Sequence, residues 1–205
     1  MAMSLEVPEQ AISAKKGRSP LYPRRPATEY ALLGLLVAGP GHGYELTRQF
    51  SASSELGKIC RLEMSMLYSL LKKLEREGLL SGRDEAVGEH KSRRVVELTE
   101  AGRAEFEAWL IDPVRTPRDM RLSFLVKLYF ARKRSSELVL RLLEEQLEFN
   151  QALLTKLQAR QQAIMPLPEN QFEEWVINFR LEQTSATLRW LTHCRNQLET
   201  NQSQL

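Results

Sequence analysis

The segment from Glu63 to Leu79, which reads EMSMLYSLLKKLEREGL, decides how the rest of the chain is interpreted. Its apolar residues recur at spacings of three and four, which places them on one face of a helix: Met64, Leu67, Leu70, Leu71 and Leu74. The opposite face carries hydroxyl groups and cations, namely Ser65, Tyr68, Ser69, Lys72, Lys73 and Arg76. Gly78 suits the position that follows a helix C-cap. The pattern therefore predicts a helix over Glu63–Glu77 with one face for a protein core and the other for a polar partner.

Two further helices are predicted before this segment. The first begins at Thr28, presents a wide apolar face of leucines, and ends at Gly39-Pro40-Gly41. The second runs from Tyr44 to Ser53. The stretch Ser54–Arg61, which contains a glycine, is interpreted as a connection.

Two short strands are predicted after the segment. They are Leu79–Arg83 and Arg93–Leu98, and the polar stretch Asp84–Ser92 between them is a candidate wing. Thr99 is a predicted N-cap of a fourth helix that extends through Leu110 and ends before two prolines.

Three helices, a hairpin and a capping helix form the plan of a winged helix-turn-helix domain. In that plan the third helix enters a major groove and the hairpin reaches the backbone beside it, so double-stranded DNA is the predicted partner. The candidate DNA-binding residues are Ser65, Met66, Tyr68, Ser69, Lys72, Lys73, Arg76, Lys91, Arg93 and Arg94. A solvated helix face is the alternative for the serines, Met66 and the cations. Arg93 and Arg94 alternate along a strand, so at most one of them faces DNA squarely.

The charge distribution leaves a second function open. The chain has 205 residues and a net charge of +3, but residues 27–112 carry 11 basic and 14 acidic groups. Six of those 11 cations lie in two short clusters, on the third helix and on the hairpin, as expected for DNA contacts. The acidic balance of the domain keeps open the alternative of a protein-interaction adaptor that does not read DNA.

The C-terminal half is predicted to consist of three helices, over Arg118–Lys133, Ser135–Ile164 and Glu169–Glu199. The second of these helices has a heptad series of Leu140, Leu143, Leu147, Asn150, Leu154, Leu157, Gln161 and Ile164. Such a seam needs a partner helix, which is either a second copy of the chain or another helix of the same chain. The homodimer is the prediction, because two linked DNA-binding domains gain affinity through effective concentration. The last helix has an apolar stripe of Phe172, Val176, Phe179, Ala186 and Trp190.

The predicted fold class is therefore mainly α, with an N-terminal winged helix-turn-helix domain, a small two-stranded hairpin and a C-terminal α-helical dimerisation domain. The predicted boundaries are a flexible basic arm over 1–26, the DNA-binding domain over 27–112 and the dimerisation domain over 113–205. The longest apolar stretch, Tyr30–Ala38, is about half of what a membrane-spanning helix needs. No membrane partner and a cytoplasmic location are expected.

Other chemistry has little support in the sequence. The three histidines are scattered and the two cysteines lack metal-site spacing, so no catalytic residue, metal site or cofactor is predicted and an enzyme is not expected. Cys60 precedes the third helix and is either a redox switch or a buried, inert thiol. Four aromatic residues either line a pocket for a small-molecule effector or belong to the core: Trp109, Phe124, Trp175 and Phe179.

Four motifs resemble those of the PadR family of transcriptional regulators. They are YALLGLL at 30–36, GPGHGYEL at 39–46, LYSLLKKLEREGL at 67–79 and LTEAG at 98–102. The resemblance covers residues 28–110, and the helical remainder is similar in plan to the family's dimerisation domain. It implies a cytoplasmic bacterial regulator, usually a repressor, that is dimeric through its C-terminal helices and often released from DNA by a small ligand.

The resemblance also implies a role for Tyr68, which is similar to a recognition-helix tyrosine whose hydroxyl binds a phosphate. A ring packed in the domain core is the alternative. The chain departs from the family pattern at Met64-Ser65-Met66, where a small glycine is common, at Ser69, where proline is common, and at Val96, where an aromatic residue is frequent. These departures affect the expected operator sequence more than the expected fold.

Overall fold

The computed structural model describes residues 25–86, 92–165 and 167–202. Most of the described chain is helical, and a three-stranded antiparallel sheet has the strand order β1-β3-β2. The elements of the first half are α1 (Ala27–Leu35), a 3₁₀ turn (Leu36–Ala38), β1 (Gly41–His42), α2 (Gly43–Gln49), α3 (Glu55–Ile59), α4 (Met64–Arg76), β2 (Leu80–Ala86), β3 (Ser92–Leu98) and α5 (Glu100–Ile111). Those of the second half are α6 (Pro117–Asp119), a π-helical turn (Met120–Phe124), α7 (Leu125–Arg132), α8 (Ser136–Ala163), a 3₁₀ turn (Pro168–Asn170) and α9 (Gln171–Gln202). The predicted mainly α fold class is confirmed.

Helix α4 corresponds to the predicted third helix, and its C-terminal end follows from local sequence. Leu67, Leu71 and Leu74 are buried, which fixes the inner face. At the C-terminal end, Gly78 has a φ of +73°, a conformation that glycine adopts without steric cost. The N–H of Gly78 donates to the carbonyl of Glu75 and that of Leu79 to the carbonyl of Leu74, which is the Schellman pattern. The chain therefore turns sharply from α4 into β2.

Two short elements differ from the prediction. The helix predicted over Tyr44–Ser53 ends at Gln49, and the predicted connection contains α3. Ser54 caps α3, since its hydroxyl oxygen accepts a hydrogen bond from the N–H of Gly57 at 2.9 Å. Gly57 has no room for a side chain, because a Cβ there would lie 1.8 Å from the carbonyl oxygen of Ser51.

The sheet is also larger than predicted. Strand β1, which was not predicted, pairs through Gly41 and His42 with Val96 and Val95 of β3. The hairpin strands extend further towards the wing tip, with Asp84 paired to Arg94. The predicted N-cap at Thr99 is confirmed, because its hydroxyl oxygen accepts from the N–H of Gly102 at 3.0 Å. Residues 1–24 of the predicted arm and residues 87–91 of the predicted wing, which include Lys91, lie outside the described residues.

The core of the N-terminal half continues into the C-terminal half. Tyr30 of α1 stacks on Trp109 of α5 with ring centroids 4.2 Å apart, and Phe106 packs edge-on against Phe130 of α7. Gly34 allows this approach, because a Cβ there would lie 2.6 Å from the Phe130 ring. A second core contains Val114, Phe124, Ala131, Val139, Leu142, Leu143 and Leu191. Helix α7 thus contributes to both cores, across the predicted domain boundary at 112/113.

Two buried polar side chains fasten the segment between α5 and α6. Lys127 of α7 is 2% exposed, and its ammonium donates to the carbonyl of Trp109 at 2.5 Å and to that of Asp112. Gln146 of α8 forms two hydrogen bonds with the backbone of Val114, each 2.8 Å long. Its side-chain oxygen accepts from the Val114 N–H, and its side-chain amide donates to the Val114 carbonyl. Because a broken buried hydrogen bond leaves an unsatisfied group, this junction resists opening. We call these contacts of Lys127 and Gln146 the interdomain joint.

The Lys127 ammonium generates a pH prediction. Burial lowers its pKa from 10.5 to about 8, against the attraction of Asp112 and Glu145. Between these two values the unfolded chain binds the proton and the folded chain does not, so the free energy of unfolding rises with pH through that window. Below about pH 8 both states are protonated and this contribution is constant. We expect the stability of the wild type, relative to Lys127→Met, to increase by about 2 kcal/mol from pH 7.5 to pH 10.

Urea unfolding of both proteins across that range measures the effect. Lys156→Met, which changes an exposed lysine of α8, is the control for ordinary lysine titration and should leave the wild-type slope unchanged. Parallel pH profiles for the wild type and Lys127→Met would contradict the prediction.

Candidate nucleic-acid interface

The outer face of α4 presents most of the residues that were predicted to bind DNA. Burial of Leu67, Leu71 and Leu74 on the inner face turns the opposite side to solvent. Residues Ser65, Ser69, Lys72 and Arg76 are exposed and follow one another at helical spacings of four, three and four, so they form a single line along α4. We call this line the outer stripe. It combines two hydroxyl groups with two cations that form no ion pair within the described part of the chain.

Met66 and Tyr68 flank the outer stripe on opposite sides. Met66 is exposed and free to meet an apolar surface such as a thymine methyl group. Tyr68 is 40% exposed, so its ring is not packed in the core as the alternative supposed. Its hydroxyl lies over Gly43 at the start of α2, where an added Cβ would be 2.7 Å from the Tyr68 oxygen. Phosphate binding by Tyr68 stays a prediction.

Lys73 has a different environment from its neighbour Lys72. Its ammonium donates to Glu29 of α1 at 2.6 Å, and Glu29 is 2% exposed. Arg25 adds a second cation to the same carboxylate at 3.2 Å and also pairs with Glu105 at 2.5 Å. A buried carboxylate needs such partners, since leaving it unpaired costs several kcal/mol. The structure therefore places the partly exposed Lys73 in an ion cluster around buried Glu29, which connects α4 to α1 and, through Arg25, to α5.

The two wing arginines also differ. The Arg94 guanidinium bonds Glu75 of α4 at 2.6 Å. Arg93, on the other face of β3, is exposed and forms no ion pair among the residues the structure describes. His42 lies in β1, and its backbone N–H donates to the Glu45 carboxylate at 3.4 Å.

The heptad seam of α8 has a partner within the same chain. Leu143, Asn150 and Leu157 are buried, and the side chains of Leu143 and Leu147 share a core with α9 residues Leu191, Cys194 and Leu198. Leu140, Leu147, Leu154 and Ile164 are half-buried. Asn150 donates to the carbonyl of Gln146 at 2.8 Å, a bond within its own helix. The intramolecular alternative thus accounts for part of the seam, and its use between two copies stays a prediction.

The four aromatic residues that were considered as a pocket lining lie in three different places. Trp109 lies in the first core and Phe124 in the second. On α9, Phe172, Trp175 and Phe179 are 72%, 60% and 62% exposed and share one helical face. We call these three residues the aromatic patch. Phe172 and Phe179 belong to the apolar stripe predicted from sequence, whereas Trp175 was considered only as a pocket or core residue. The exposure of the three rings was not visible in the sequence.

The remaining candidates concern reactive groups and membranes. Cys60 is buried in the first core, and burial raises the pKa of its thiol to about 11, which favours the inert thiol over the redox switch. Among the described residues, no cluster of His, Cys, Asp and Glu could hold a metal ion. In the same ranges, no helix is both long and apolar enough to cross a membrane.

A helical core, a β wing and an exposed recognition helix with hydroxyl groups and cations define a regulator of the winged helix-turn-helix class. The sequence matches the family model described as "Transcriptional regulator PadR-like family" over residues 32–108. It matches the model "Virulence activator alpha C-term" over residues 120–199. A curated relative, the "Negative transcriptional regulator PadR" of Bacillus subtilis (strain 168), is 33% identical over 141 residues, which are 69% of this chain and 76% of the relative. The chain belongs to the PadR-like family of transcriptional regulators.

Solved structures of the Bacillus subtilis protein are also similar. One is PadR in complex with operator DNA, with 28% identity, coverage of 84% of this chain and 99% of that chain, and a TM-score of 0.43. Another is PadR in complex with p-coumaric acid, with 27% identity, coverage of 89% and 99%, and a TM-score of 0.38. The family match confirms the predicted resemblance. Because the family consists of transcriptional regulators, it also confirms that the protein is not an enzyme.

The different environments of Lys72, Lys73 and Arg76 generate a prediction for DNA binding. The logarithm of the DNA association constant falls linearly with the logarithm of the salt concentration, and each phosphate contact that is lost makes this slope shallower by about 0.9. We expect Lys72→Ala/Arg76→Ala to weaken DNA binding and to give a shallower slope, as measured by fluorescence anisotropy at several salt concentrations. Lys73→Ala should instead lower the free energy of unfolding by about 1–3 kcal/mol and keep the slope, because it removes a partner of buried Glu29.

Lys156→Ala/Arg189→Ala removes two exposed cations from α8 and α9 and is the charge-matched control. A slope that falls equally in the control and in the α4 variant would show that the outer stripe is not the contact surface.

Proposed function

We propose that the protein is a homodimeric repressor that binds an inverted-repeat operator in the bacterial cytoplasm. The observation that carries the proposal is the outer stripe of α4, which offers hydroxyl groups near the helix start and, along the same line, cations that have no ion-pair partner among the described residues. Hydroxyl groups can meet base edges, whereas lysine and arginine neutralise phosphates. The curated relative is named a negative transcriptional regulator, which supports repression.

Residues 27–112 are proposed to bind DNA and residues 113–205 to form the dimer, with residues 1–26 as an arm. The net negative charge of the first region does not oppose this assignment. Arg25, which precedes this region, pairs with Glu29 and Glu77, and Glu75 pairs with Arg94, so none of these three carboxylates offsets the cations of the outer stripe. Tight, salt-insensitive binding to another protein without DNA affinity would instead support the adaptor.

The operator prediction is tested by genome-wide selection of bound DNA fragments with the purified full chain. We expect the recovered fragments to share an inverted repeat with half-sites about one helical turn apart, since two recognition helices of a dimer enter successive major grooves. Lys72→Ala/Arg76→Ala, treated in parallel, should recover no enriched motif. Recovery of fragments without a common motif would contradict sequence-specific regulation.

Release by a small ligand is part of the proposal. The Bacillus subtilis PadR of the solved structure binds p-coumaric acid. A gel shift of the selected operator with added p-coumaric acid, and then with other small aromatic acids, identifies the ligand class that displaces this chain.

Dimerisation is proposed to use the aromatic patch of α9. Aromatic side chains bury about 150–250 Å² each, and two copies of the patch would remove six such rings from water. At roughly 2 kcal/mol for each ring, the gross gain is of order ten kcal/mol before ordering costs. The half-buried positions of the α8 seam, such as Leu154, lie on the other helix of the same pair and are the competing surface.

We therefore expect Phe172→Gln/Trp175→Gln/Phe179→Gln to raise the dimer dissociation constant at least tenfold in sedimentation equilibrium. Tyr44→Gln, which changes an equally exposed ring of α2, should leave it unchanged. Dissociation by Leu154→Gln but not by the α9 variant would place the dimer contact on α8 instead.

A further inference from the structure

Glu75 and Arg94 join the recognition helix to the wing. The Arg94 Nη2 donates to one Glu75 carboxylate oxygen at 2.6 Å, and its Nε lies 3.4 Å from the other. Arg94 also approaches Asp84 of β2 at 3.9 Å. The Glu75 side chain is 18% exposed and that of Arg94 is 49% exposed, so the carboxylate is shielded from solvent while the guanidinium lies at the surface. A forked arginine contact of this kind fixes orientation as well as distance.

A glycine in the adjacent strand makes room for the pair. Gly82 lies inside β2, where it pairs with Val96. A Cβ at this position would be 2.6 Å from the Arg94 Nη2 and 2.7 Å from a Glu75 oxygen. Glycine is unfavourable in a strand interior unless another group must approach closely. Here the Glu75–Arg94 pair lies directly against the β2 backbone, so α4, β2 and β3 meet at one point.

We propose that the Glu75–Arg94 pair, seated on Gly82, is a positioning device that sets the angle between wing and recognition helix and holds Arg94 away from the DNA phosphates. The proposal rests on the proposed DNA-binding function. In this proposal Arg94 acts by orienting the wing through Glu75. Arg93, which has no ion-pair partner among the described residues, is the arginine available to DNA. The pair determines how well wing contacts and base contacts form at the same time, and therefore the preference for operator over other DNA.

Lys73 supports this arrangement from the opposite flank of α4. Its bond to buried Glu29 fixes one side of the helix, and the Glu75–Arg94 pair fixes the other. The outer stripe lies between the two. Loss of the Glu75–Arg94 pair alone would therefore change the angle of the wing, while the recognition helix stays in place.

The test measures the ratio of dissociation constants for a scrambled duplex and for the duplex recovered in the fragment selection. We expect Glu75→Gln, Arg94→Gln and Gly82→Val each to lower this ratio about threefold to fivefold, the upper part of the range for an ion pair with an exposed partner. Arg94→Gln should keep the wild-type salt slope. The exchanged variant Glu75→Arg/Arg94→Glu, which has the wild-type net charge, should restore the ratio to within about twofold.

Ser81→Val is the control for Gly82→Val, since it adds the same residue to β2 at the neighbouring, exposed position. A salt slope that falls by about 0.9 for each wing in Arg94→Gln, with no rescue by the exchanged variant, would overturn the proposal and make Arg94 a phosphate contact. Unchanged ratios in all the variants would overturn it as well. If the wild type binds no selected duplex, the proposed function itself is wrong. That result is obtained before any variant is measured, so the two proposals can be told apart.

Discussion

The burial of Leu67, Leu71 and Leu74 is the constraint on which the other features depend. A helix that buries one face in a core must present the opposite face, so these leucines fix the direction of Ser65, Ser69, Lys72 and Arg76. The turn at Gly78 then leads directly into β2, which brings the wing beside the same helix. Hydrophobic packing thus positions the polar residues, and the ion pairs of α4 refine the position that packing has set.

Features with a local physical cause were predictable from sequence. The extent of α4 follows from apolar spacing and from Gly78, and the start of α5 follows from the Thr99 cap. Elements too short for a periodic pattern were missed, such as the two residues of β1 and the five of α3. Their stability comes from partners elsewhere, including Val95 and Val96 of β3.

In the candidate site, too, features with a local cause were predictable and features that depend on tertiary contacts were not. Sequence spacing identified the hydroxyl groups and cations of α4, but it could not separate Lys72 from Lys73. The partner of Lys73 is Glu29, 44 residues away, and that of Arg94 is Glu75, 19 residues away. Such pairings depend on tertiary approach and have no periodic signature. Likewise, the spacing of Phe172, Val176 and Phe179 indicated an apolar stripe, whereas only packing decided that Phe172 and Phe179 stay exposed while α8 covers a different face of α9.

The interdomain joint gives the proposed dimer a physical basis for selecting an operator. Two recognition helices gain from effective concentration only if their separation matches about 34 Å between half-sites. A flexible segment after α5 would spread that separation over many values. Lys127 and Gln146 instead hold the backbone of residues 109–114 to α7 and α8, and Phe130 of α7 packs against α5 in the first core. A shift of α7 or α8 must therefore move α5 or break buried hydrogen bonds. A ligand of the proposed kind would need only to favour a second arrangement of α7 and α8, because the contacts that fix these helices also pass their displacement to α5.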